Sequence, residues 1–191
     1  KGRMVALVGD AELDEGNVYE CLQEGWKHDL RNVWWIIDYN RQSLDGVVHE
    51  GLSERLSSVF EAFGWNLIVL KYGRLQKDAF KEPGGNLLKK WIDDCPNQLY
   101  SALIYEGGAA FKKRVLDDIG DQDIVSKLIN KRSDNEFLEL MANLGGHCVP
   151  TLCDAFNGIK DDKPTAFIAY TIKGWGTPLA GHKDNHAGLM T

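Results

Sequence analysis

Val5-Ala6-Leu7-Val8-Gly9-Asp10-Ala11-Glu12, followed by Ile36-Ile37-Asp38-Tyr39-Asn40-Arg41-Gln42, decides the fold. Each stretch is a short apolar run that closes on polar residues. That pattern predicts two buried strands of a parallel sheet, with ligand-binding groups at their carboxyl ends. Asp10 offers a hard carboxylate oxygen and Asn40 an amide oxygen, donors that suit a divalent ion. Between Ala11 and Asn40 lie residues 12 to 39, 28 in all, enough for a crossover helix and a return strand. The spacing lets both groups converge on one ion, where a cation and a diphosphate would meet.

Outward from this pair, runs rich in Val, Ile, Leu and aromatic residues predict strands at about 4–8, 33–39, 66–71, 100–104 and 165–171. Helices are expected between them. Glu12 to Lys27 carries its acids in the first turns, which suits the positive end of a helix. Ser53 to Phe63 sets Leu56, Val59, Phe60 and Phe63 at helical spacing, and Gly64 stops it. Further helices are expected at 86–93, 109–118 and 121–130, from Asp134 to Asn143 and from Thr151 to Asn157. Such alternation predicts an α/β fold, a doubly wound and mainly parallel sheet flanked by helices.

With 43% apolar and 26% charged residues, the 191-residue chain reads as one ordered domain spanning 1–191. No apolar run nears the roughly 20 residues of a membrane span, and Lys1-Gly2-Arg3-Met4-Val5 lacks the apolar core of a signal peptide, so a cytoplasmic protein is expected. Cys21, Cys95, Cys148 and Cys153 form no Cys-x-x-Cys pair, and neither disulfides nor zinc are expected. A net charge of −6 without a basic stripe argues against nucleic acid as a partner. An anionic cofactor would then need local positive charge, from a divalent ion and a helix amino terminus. The first strand starts three residues in, and the chain ends on Met190-Thr191 without a closing helix, so a longer polypeptide is expected.

Four words carry a family resemblance: Gly9-Asp10-Ala11-Glu12-Leu13-Asp14-Glu15, Asn40-Arg41-Gln42-Ser43-Leu44-Asp45-Gly46, Phe63-Gly64-Trp65-Asn66 and Thr171-Ile172-Lys173-Gly174-Trp175-Gly176. The chain resembles the thiamine-diphosphate-dependent enzymes, whose diphosphate motif is Gly-Asp-Gly, a spacer of similar length and then Asn. Within that superfamily it looks like the homodimeric decarboxylating component of pyruvate dehydrogenase and its 2-oxo acid relatives, with transketolase next. The likeness spans most of residues 4 to 189 and is loose over about 105 to 145.

The resemblance implies magnesium held by Asp10, Asn40 and the main-chain carbonyl of Gln42. It implies thiamine diphosphate contacts at Gly9, Asp10, Ala11, Glu12, Asn40, Gln42 and Lys173. His182 and His186, in a polar loop, would be proton-transferring active-site histidines. The whole enzyme would decarboxylate a 2-oxo acid and pass the acyl group to a lipoyl-bearing acyltransferase. A pyrimidine-binding domain of its own or a partner subunit would supply the activating glutamate, within a homodimer. The 191 residues alone are therefore expected to be inactive.

Two positions depart from the family pattern. Ala11 replaces the usual glycine, and its methyl group costs energy if the turn needs a positive φ. Asp38 stands where relatives often carry Asn, and a carboxylate there repels a diphosphate unless paired or turned away. These departures lend slight support to an alternative, a non-catalytic assembly module of the same fold; transketolase-type glycolaldehyde transfer is another. His147, in Leu144-Gly145-Gly146-His147-Cys148, resembles a Gly-Gly-His word of the pyruvate dehydrogenase type and is expected to be a structural residue at a helix entry. Trp34 and Trp35 are expected in the core or at a subunit interface.

Overall fold

The computed structural model describes residues 2–40, 42–43, 46–47 and 52–185. Four parallel strands form the central sheet: β1 (Met4–Gly9), β2 (Val33–Tyr39), β5 (Asn66–Leu70) and β6 (Thr165–Tyr170), in the order β1-β2-β6-β5. The two residues each of β3 (Gln42–Ser43) and β4 (Gly46–Val47) pair antiparallel beside it. A 3-10 turn (Asp10–Asp14) and α1 (Gly16–Lys27) follow β1, and α2 (Leu52–Ala62) precedes β5. Between β5 and β6 the chain forms α3 (Arg74–Ala79), α4 (Gly85–Asp94), α5 (Asn97–Glu106), α6 (Gly108–Ile119), α7 (Asp123–Asn130), α8 (Asp134–Ala142) and α9 (Val149–Gly158). The predicted α/β class, with a parallel sheet flanked by helices, is what the chain adopts.

Helices cover both faces of the sheet. On one face Ile37, Tyr39, Ala166 and Ile168 join the large core built with α1, α2 and α4 to α8. On the other, Trp34, Phe167 and Leu70 pack against Leu152, Ala155 and Phe156 of α9. Every residue of β6 is buried, as an unbroken apolar run between two helical layers should be. Adjacent Trp34 and Trp35 point to opposite faces, as strand alternation requires. Trp34 stacks on Phe156, whereas Trp35 packs against Phe60 and Trp65.

One expected strand is a helix. Residues 100–104 belong to α5, where Tyr100, Leu103 and Ile104 are buried at helical spacing between Pro96 before the helix and Gly107 after it. A short apolar run carries no period of its own, and length and flanking residues decide it. The helix α3 was not foreseen. Among the described residues no helix is long and apolar enough to cross a membrane.

Candidate functional site

The parallel register sets Gly9 beside Asp38, so β1 and β2 end together. Asp10 follows one residue past this pairing and Asn40 two. The 3-10 turn that begins at Asp10 packs against the end of β2 and against β3, which carries Gln42. Asp10, Asn40 and the Gln42 backbone are thereby gathered at one corner of the strand-end crevice. Asp10 is 3% exposed and Asn40 9%, and the Ala11 amide donates to Oδ1 of Asp10 at 2.9 Å. Ala11 lies inside the 3-10 turn and outside the left-handed region, so its methyl group costs no backbone strain. Glu12 turns back, and its Oε1 accepts the Gly9 amide at 3.1 Å.

The end of β6 closes the corner from the other side. The Thr171 amide donates to the Tyr39 carbonyl at 3.1 Å, and the Thr171 hydroxyl donates to Oδ1 of Asp38. Asn40 Nδ2 lies 3.5 Å from Oδ2 of the same carboxylate. Asp38 is thus hydrogen-bonded on both oxygens, which fixes its carboxylate between Thr171 and Asn40.

Gly145 and Gly146 press against the ends of β5 and β6. A Cβ on Gly145 would stand 2.2 Å from the Leu70 carbonyl oxygen, and one on Gly146 would stand 2.7 Å from that of Tyr170. No residue but glycine fits, and the close approach delivers His147. Its Nε2 accepts the Ile172 amide at 2.8 Å, and its ring stacks on Trp175 with centroids 4.9 Å apart. Burial holds the imidazole below its ordinary pKa of 6.5, with the Asp38 charge opposing in part. His147 is the helix-entry residue expected from its place before α9, and it braces the segment leading to Lys173.

Lys173 is half-buried, three residues beyond β6. Its carbonyl accepts the Gly181 amide at 3.0 Å and the Asn185 side-chain amide at 2.9 Å, which closes the loop on itself. His182 lies against α5, its ring 4.4 Å from that of Tyr105 and its Nδ1 accepting the Asp184 amide. His186 lies outside the described residues, as do Arg41, Leu44 and Asp45. The site residues therefore fall into two groups, Asp10, Asn40 and Gln42 at the strand ends and His182 on the far side of the loop. Trp175 joins them, touching His147 on one side and lining a cleft with Tyr105 and Leu138 on the other.

Sequence reading missed a polar cluster after β5. Asp93 accepts from Lys71, Lys89 and the Tyr72 hydroxyl. Burial works to raise the Asp93 pKa, but these donors outweigh it and hold the carboxyl below its usual range. Burial, followed by the Asp93 hydrogen bond, pushes the Tyr72 phenol well up. No short motif marks this group, because its members come from two separate segments, the loop after β5 and α4.

Among the described residues no three His, Cys, Asp or Glu side chains cluster around a point that could hold a metal. The donors at the strand ends are instead a carboxylate, an amide oxygen and main-chain carbonyls. Such a sparse set of hard oxygens fits magnesium, which keeps waters and shares its shell with substrate phosphates.

Residues 2–80 match the family model described as transketolase, thiamine diphosphate binding domain. Across 98% of its length the chain is 28% identical to the pyruvate dehydrogenase E1 component of Buchnera aphidicola subsp. Schizaphis graminum, covering 21% of that protein. It is 26% identical to the E1 components of Corynebacterium glutamicum, over 90% of the chain and 18% of the relative, and of Escherichia coli K12, over 98% and 21%. The chain spans about a fifth of the length of the curated relatives it matches. The family match covers both strand ends that carry Asp10 and Asn40. The resemblance read from the four sequence words holds: residues 2–80 are similar to the thiamine diphosphate binding domain, and most of the chain is similar to pyruvate dehydrogenase E1 components.

Proposed function

We propose that the chain binds magnesium and the diphosphate of thiamine diphosphate for a 2-oxo acid decarboxylating component of the pyruvate dehydrogenase type. One observation carries the reading: buried Asp10 and Asn40 meet the strand of Gln42 at the ends of two adjacent parallel strands, inside the segment that matches the thiamine diphosphate binding family. Asp10 and Asn40 would hold the ion through side-chain oxygens and Gln42 through its carbonyl. Gly9, Ala11 and Glu12 would border the diphosphate, and the Lys173 ammonium would reach back to it from the loop after β6. The bound cofactor supplies the electron sink that lets a 2-oxo acid lose carbon dioxide.

The chain's own work is to bind, orient and exclude water. Burial of Asp10 and Asn40 keeps solvent from competing for the ion. His147 fixes the Ile172 amide and so the path of the chain into Lys173. His182 and His186 would move protons at the reacting end as acid or base. The activating acid is supplied by a pyrimidine-binding domain in a homodimer, and the acyl group goes to a lipoyl-bearing acyltransferase in the cytoplasm.

The test uses the full-length protein with magnesium and cofactor, comparing carbon dioxide release from pyruvate with glycolaldehyde transfer from a ketose phosphate. Turnover of pyruvate and not of the ketose is expected. Turnover of the ketose alone would move the chain to transketolase chemistry. The 191 residues by themselves are expected to turn over neither, and sustained turnover by them would refute that assignment of labour.

A further inference from the structure

Resting on the magnesium reading above, we propose that Asp38 is a positioning residue for the cation, fixing which face of the Asn40 amide turns toward the ion. An asparagine amide has two ends of nearly equal size and opposite polarity, an oxygen that accepts and a nitrogen that only donates. Only the oxygen can serve a cation. The Asp38 carboxylate accepts and cannot donate, so the end of Asn40 that faces it is the nitrogen, 3.5 Å from Oδ2. The reversed amide would set its oxygen against a carboxylate and turn its N–H bonds toward the ion.

The carboxylate is itself held from the neighbouring strand. The Thr171 hydroxyl donates to Oδ1, and the Thr171 amide donates to the Tyr39 carbonyl, between Asp38 and Asn40. The main-chain N–H of Asn40 also donates back to the main-chain carbonyl of Asp38 at 3.1 Å, which curls the strand end into a tight turn. One oxygen of Asp38 is thus assigned to Thr171 and the other to Asn40. An amide at position 38 could face Asn40 with either end, whereas a carboxylate permits one pairing.

The test measures manganese binding to the full-length protein by electron paramagnetic resonance, in the presence of thiamine diphosphate. Replacing a residue that orients a metal ligand typically weakens affinity about 10- to 100-fold. Asp38→Ala is expected to raise the manganese Kd at least about tenfold by that measure. Adding Asn40→Asp should largely restore binding, because a carboxylate at position 40 has two equivalent oxygens and needs no orienting. A merely structural Asp38 would not be rescued this way. Should Asp38→Ala fail to fold, Asp38→Asn carries the same test, with a smaller rise that Asn40→Asp again relieves. An unchanged Kd in the Asp38 variants, or no rescue by Asn40→Asp, overturns the inference and leaves the magnesium reading standing. No manganese bound by the unaltered protein overturns that reading and the inference with it.

Discussion

Asp10 and Asn40 were legible because the signal is local: each is a polar side chain at or just beyond the end of an apolar run, and strand geometry alone brings such residues to one crevice. Thr171 was not, since its bond to Asp38 joins residues 133 positions apart and no short word encodes it. The consequence of Asp38 could be framed from sequence, as repulsive unless paired, but only the fold supplies the pairing. His147 yields a pH prediction. Burial lowers its folded-state pKa beneath the ordinary 6.5, so the unfolded chain binds the proton more readily. The stability it contributes is complete above pH 6.5 and is lost as pH falls toward the folded-state value. The structural cause is plain, because a protonated Nε2 can no longer accept the Ile172 amide. His147→Gln offers a carbonyl oxygen as acceptor without titrating. Thermal melts between pH 7.5 and 5.5 should show the unaltered protein losing more stability than the variant, and parallel losses would contradict this.

At the scale of elements, the sequence showed most helices and four of the five expected strands, because periodicity and flanking Gly and Pro are written locally. It failed at residues 100–104, where the apolar run is too short to reveal its period and the partners of α5 lie in α6 and α8. The Gly145-Gly146 step was visible as a word, but its purpose was not, since the clash it avoids is with the backbone of β5 and β6. Gly145→Ala would place a methyl group 2.2 Å from the Leu70 carbonyl oxygen. Forcing an extra carbon into packed backbone costs about 1–3 kcal/mol. Denaturant melts should register a loss of that order, together with weakened cofactor binding as His147 shifts. An unchanged midpoint would show that the loop is not seated against the strand ends as described.

At the scale of the whole molecule, a parallel sheet between two unequal helical layers leaves β1 as an edge strand. Val5 is 52% exposed and Leu7 75%, and both lie on the α9 face, where the apolar cluster under α9 takes its buried residues from β2, β6 and β5. Exposed apolar edges of this kind promote association. The 191-residue chain is expected to self-associate at high concentration, with Leu7→Lys reducing it; light scattering from a monodisperse monomer would contradict this. The overall fold was readable because alternating strands and helices allow few arrangements. The sheet order was not, since it depends on β6 inserting between β2 and β5 after seven helices. The central claim is that Asp10 and Asn40 hold a cation that in turn holds a diphosphate. The most direct measurement is a calorimetric titration of the full-length protein with thiamine diphosphate, with and without magnesium, comparing the unaltered protein with Asp10→Ala. Magnesium-dependent binding that is lost in the variant is the predicted result. Binding that ignores both magnesium and Asp10, or no binding at all, would contradict the account and bring forward the non-catalytic assembly module.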